Sequence, residues 1–153
     1  MYKKIMVPVD GSELAECVLP HVEAFMKGFP LTEVAFVRVV EPVGLSTSAG
    51  PSMLEDQQEK ESARKASAEE YLKQIVSRLK HEGTTIREEV LIGRVTESLS
   101  DYAGKNGVDL ILIATHGRSG VTRWVRGSVA DKILRSANVP VLMVRAPGTK
   151  GGL

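Results

Sequence analysis

Gly117, Gly127 and Ser128 are the residues whose types and spacing most clearly suggest chemistry. Nine residues separate the two glycines, and Gly127-Ser128 opens an amphipathic stretch. Glycine lets backbone N–H groups approach an anion with no Cβ in the way. The amides of Ser128, Val129 and Ala130 would point outward at a helix N-terminus, where the helix dipole favours negative charge. Ser128 adds a hydroxyl. A loop that returns to its own helix start in this way can ring a phosphate chain. A second candidate is Pro8-Val9-Asp10-Gly11-Ser12, after the first apolar run, where Asp10 and Ser12 could contact a ligand, cap a helix, or do both. His116, Arg118, Arg123 and Arg126 flank the glycines, and part of this charge belongs to a solvated surface. The common phosphate signatures G-x-x-x-x-G-K-[ST] and G-x-G-x-x-G are absent, and Gly117-Arg118-Ser119-Gly120 does not match a G-x-S-x-G elbow. His116 has no nucleophile and orienting carboxylate identifiable beside it, so no catalytic residue is assigned.

Five short apolar runs must position these residues: Ile5 to Val9, Val34 to Val40, Ile86 to Ile92, Val108 to Ala114 and Val139 to Val144. Each is Val- and Ile-rich and of strand length. The fourth is apolar almost throughout, which suits a strand covered on both faces. Between the runs, helices are predicted over Ser12–Lys27, Gln57–His81, Thr96–Asn106 and Gly127–Ala137. Pro20, inside the first of these, should kink it or loosen a turn. Thr96 should cap the third. Val129, Ile133 and Leu134 provide the apolar residues of the last. Strand–helix alternation implies an α/β fold, a five-stranded parallel doubly wound sheet with helices on both faces. In such sheets ligands bind beyond the carboxyl ends of the strands, where the winding reverses. The Pro-, Gly- and Ser-rich stretch from Glu41 to Leu54 reads as a long loop, and residues 148–153 as a flexible tail after one domain over 1–147.

The chain of 153 residues suffices to bury roughly 70% of its unfolded surface. A net charge of +1 does not favour nucleic acid or an anionic membrane as partner. No apolar stretch reaches membrane-spanning length. Cys17 stands alone, so no internal disulfide forms, and a cytoplasmic location is expected.

Three stretches taken together resemble the universal stress proteins. They are Lys3-Lys4-Ile5-Met6-Val7-Pro8-Val9-Asp10-Gly11-Ser12, then Ala114-Thr115-His116-Gly117 with nine residues before Gly127-Ser128, and Asn138-Val139-Pro140-Val141-Leu142-Met143-Val144. The middle one is similar to that family's G-x2-G-x9-G-[ST] string, with Ala114 in place of its first glycine. The resemblance implies an adenine-nucleotide pocket for ATP, with or without Mg²⁺. Pro8, Val9 and Asp10 would stand on the ribose or adenine side, and Val39 would give backbone contacts to adenine. Ala114, His116, Gly117 and Arg118 would line the phosphates from one side, and Gly127, Ser128, Val129 and Ala130 from the other. It also implies a homodimer that pairs the last strands, Val139 to Val144. Two other functions fit the same residues: a slow ATPase or self-phosphorylating protein, and a dimeric interaction module that ignores nucleotide.

Overall fold

The computed structural model describes residues 1–42, 51–79, 82–115 and 128–146. Five strands form one parallel sheet: β1 (Lys4–Pro8), β2 (Glu33–Val40), β3 (Thr85–Ile92), β4 (Leu110–Thr115) and β5 (Val141–Arg145). Four helices connect them: α1 (Leu19–Gly28), α2 (Pro51–Ser77), α3 (Val95–Lys105) and α4 (Ser128–Ser136). The strand order is β3-β2-β1-β4-β5, so the winding reverses between β1 and β4. Ile5 sits opposite Val34 on one side and Leu110 on the other. This is the doubly wound α/β architecture the alternating pattern predicts.

The apolar runs are continuous because helices cover both faces. Successive strand residues point to opposite sides. Ile5, Val7, Phe36 and Leu112 pack with Val22 of α1 and Leu72 and Ile75 of α2. Met6, Ala35, Val37, Ile111 and Ile113 pack with Leu99 and Ala103 of α3 and Ile133 of α4. Burying each large side chain contributes about 1.5–3 kcal/mol. The carboxyl edge of the sheet is therefore a rigid platform with one helix pair below it on each face.

Four expectations change. The stretch Ser12–Lys27 is not one kinked helix: a 3₁₀ segment, Glu13–Val18, precedes α1, and Pro20 lies in the first turn of α1. Proline is tolerated there because its missing N–H would have had no helical partner. The stretch from Glu41 to Leu54 is not all loop, since α2 already begins at Pro51, again a proline at a helix start. Residues 43–50 lie outside the described residues. Thr96 does not cap α3. The cap position is Arg94, in extended backbone and without a side-chain bond, and its carbonyl accepts from the Ser98 N–H at 2.9 Å. Of the three apolar residues assigned to the last helix, Leu134 is not in the buried stripe. Val129, Ala130 and Ile133 hold the buried stripe, and Leu134, turned about 100° from Ile133, is 49% exposed.

Candidate functional site

β1 and β4 are neighbours at the point of reversal, with Ile5 paired to Leu110 and Met6 to Ile111, and the turn after β1 is built from a short relay. Pro8 closes the strand, and the Val9 N–H still donates to the Val37 carbonyl at 3.0 Å. Gly11 then takes φ +85°, a left-handed conformation that suits glycine. Asp10 is buried. Its Oδ1 accepts the Ser12 N–H at 2.8 Å and also the Ser12 hydroxyl. The Ser12 Oγ in turn accepts the Ala15 N–H at 3.2 Å, which caps the 3₁₀ segment. Both bonds to Asp10 land on Oδ1, so Oδ2 is not used by this turn. Ser12 is thus a cap, and Asp10 is held in place at the edge by the residue it supports.

The remaining proposed contact residues divide between the faces. Val39 belongs to the same buried cluster as Val129 and Ala130, on the face covered by α3 and α4. α4 begins at Ser128, so Val129 and Ala130 fall in its first turn. Ala114 is inside β4, paired in register with Val144, and its methyl packs into the opposite cluster beneath α1 and α2. Regular strand backbone has negative φ, so alanine there carries no left-handed strain. His116, Gly117, Arg118 and Gly127 lie outside the described residues.

Among the described residues, two clefts at this edge bear on the site. The larger, 890 Å³, lies on the α3/α4 face. Glu41 and Pro42 follow β2 into it, Gly93, Arg94 and Thr96 come from the start of α3, and Val129, Lys132 and Arg135 come from α4. Its size is that of small-molecule sites generally. Arg135 is partly neutralised by Asp131, at 3.1 Å. The smaller, 280 Å³, lies on the α1/α2 side and is lined by Asp10, Gly11, Arg38, Arg64, Ser67 and Tyr71. Sequence reasoning missed it. Its one signal was Arg38, a lone charge in the otherwise apolar run from Val34 to Val40. Among the described residues no group of three or more His, Cys, Asp or Glu side chains could hold a metal ion. No described helix is long and apolar enough to cross a membrane.

Comparison with known proteins agrees with this geometry. The model of the universal stress protein family matches residues 1–145. Universal stress protein MJ0531 of Methanocaldococcus jannaschii is 31% identical over 150 residues, covering 96% of this chain and 84% of that one. The solved structure of MJ0577, from the same organism, superposes with a TM-score of 0.79 at 29% identity, covering 97% of this chain and 99% of that one. A universal stress protein family member from Arabidopsis thaliana, solved with AMP bound, shares the fold at TM-score 0.61 and 14% identity, with 98% of this chain and 95% of that one covered. With the strand order, both faces of the core and almost the whole length accounted for, the chain belongs to the universal stress protein family.

Proposed function

We propose that this protein binds an adenine nucleotide, ATP foremost, at the carboxyl edge between β1 and β4, and that it acts as a regulatory protein rather than a fast enzyme. The observation that carries the reading is the start of α4 at Ser128, a helix whose Val129 and Ala130 share a buried cluster with Val39, on the edge where the winding reverses. Adenosine lies against Pro8, Val9 and Asp10, with adenine on the backbone at Val39. The phosphates lie between His116, Gly117 and Arg118 on one side and Gly127, Ser128, Val129 and Ala130 on the other. The first amides of α4 supply the positive end of a helix dipole. AMP in the plant relative supports adenine as the base. Mg²⁺, if used, travels with the phosphates: Asp10 is the carboxylate among the proposed contacts, and its Oδ1 is committed to Ser12.

Fast phosphoryl transfer requires a cationic clamp, a metal carboxylate and a group that positions the nucleophile. Arg118 and Asp10 alone make that set incomplete, so hydrolysis, where present, is slow. In the same reading one domain spans 1–147, the protein works in the cytoplasm, and two copies pair along Val139–Val144. β5 is an edge strand whose Leu142 and Met143 are 37% and 36% exposed, which supports that pairing.

The test is to denature the purified protein and identify any released nucleotide by chromatography and mass. An adenine nucleotide is expected. Protein that carries none, and that also fails to take up ATP at millimolar concentration, overturns the proposal.

A further inference from the structure

Apart from Asp10, the smaller cleft is lined by side chains that are not among the proposed nucleotide contacts. Arg38 leaves β2 on the α1/α2 side, and its guanidinium packs against the Gly11 backbone: a Cβ built there would lie 3.5 Å from its Cζ and Nη2. Arg64, on α2, also lines the cleft, and its Nη1 donates to the Glu41 carbonyl at 3.3 Å. Ser67 and Tyr71 stand three and seven residues further along α2 and complete the wall. Residues at such spacing share a helix face.

Tyr71 is the telling member. Its hydroxyl oxygen is buried and has no hydrogen-bond partner among the described residues. A buried hydroxyl without a partner is costly, and most such groups have one. Burial, with smaller contributions from Glu16 and Asp10 that outweigh those of Arg38 and Arg78, pushes its pKa well above the usual phenol value. The group therefore stays protonated and is a donor awaiting an acceptor. Both carboxylates near it are already engaged, Glu16 in an ion pair with Arg78 and Asp10 by Ser12. The lining thus offers two guanidinium groups and two hydroxyls against a single carboxylate.

We infer that this cleft is a second binding site, for a phosphate group, on the opposite face of the sheet from Val39 and α4. Two guanidinium forks suit a tetrahedral oxyanion, and the Tyr71 and Ser67 hydroxyls can donate to the remaining oxygens. A volume of 280 Å³ admits free phosphate or the phosphate of a small monoester. The site shares Asp10 with the proposed nucleotide contacts but none of its other residues.

The experiment titrates inorganic phosphate, and in parallel glycerol phosphate, into the full chain at constant ionic strength. Binding is read by calorimetry and by the thermal midpoint against chloride. Saturable binding is expected, and the tighter of the two ligands shows whether the source is free phosphate or an ester. Arg64→Gln weakens it about tenfold, and Tyr71→Phe about fivefold, as expected for losing a charged and a neutral hydrogen bond. Without phosphate Tyr71→Phe melts no lower than the parent, since the lost hydroxyl had no partner. Gly127→Val, which disables the proposed nucleotide loop, leaves phosphate affinity intact. The inference is overturned if neither ligand binds, if both substitutions in the cleft leave affinity unchanged, or if Gly127→Val abolishes phosphate binding.

Discussion

Replacing Ala114 by glycine would restore the first glycine of the family's string, and a loop-based argument predicts tighter nucleotide binding. The structure predicts a different result. Ala114 pairs with Val144 inside β4, is 3% exposed, and packs with Val7, Val9 and Leu112 beneath α1 and α2. Glycine within a strand costs about 0.5–1 kcal/mol in backbone entropy. Losing one buried methyl group costs about 0.8 kcal/mol more. The sum, about 1.5 kcal/mol, should lower the thermal midpoint by about 3–6 °C for a chain of this length. The methyl faces away from Val39 and Val129, so ATP affinity should change by less than about threefold. Calorimetric melts and ATP titration of Ala114→Gly measure both. An unchanged midpoint with about tenfold tighter binding would refute the placement of this residue in the core, and with it the account of why alanine is tolerated here.

Other substitutions test the frame of the site. Pro20→Ala should destabilise slightly, by about 0.4–1 kcal/mol, because proline fits the first turn of α1 and restricts the unfolded chain; a gain approaching ~3 kcal/mol in urea unfolding would place it inside a helix after all. Gly93 has φ +153°, and a Cβ there would lie 2.7 Å from Ser98 Oγ, so Gly93→Ala should cost about 1–3 kcal/mol. A neutral result would contradict the turn that leads from β3 into the larger cleft. Asp109 Oδ2 accepts the Lys4 and Lys3 N–H groups at 2.8 and 2.7 Å, and these bonds, the one from Lys4 first, hold its carboxyl below the usual range. A depressed pKa contributes stability that is present above the unfolded value, about pH 4, and is lost as pH falls through the folded one. Asp109→Asn should therefore flatten the acid limb of the stability curve, and an acid limb as steep as the parent's would show that this carboxyl does not anchor β1.

The five strands were legible because a sheet buried on both faces demands unbroken apolar runs, and Leu110 to Ala114 is such a run. Their parallel, doubly wound arrangement followed from alternation with helices, whereas the order β3-β2-β1-β4-β5 is visible only in the fold. Local boundaries were less legible, since competing signals meet there. Pro20 read as a kink and Pro51 as part of a loop, yet each sits where a helix begins. Thr96 has the right chemistry for a cap, but Arg94, in extended backbone after the positive-φ turn at Gly93, takes the cap position and α3 starts at Val95. Leu134 has the right hydrophobicity for the stripe and the wrong angle. At the site, Asp10 was legible from its place after β1, whereas its bonds to Ser12 depend on a turn that only the fold reveals. The cleft of Arg38, Arg64 and Tyr71 was invisible to motif reasoning because its members come from two elements far apart in the chain.

The central claim is that the edge between β1 and β4 holds ATP through the string that ends at Gly127-Ser128. The most direct measurement is a calorimetric titration of ATP into nucleotide-free parent protein and into Gly127→Val, with melts showing that both are folded. The account predicts binding by the parent and a loss of about tenfold or more in the variant, as a Cβ and two methyls enter the space reserved for phosphate oxygens. Equal affinity in two folded proteins, or none in either, would contradict it.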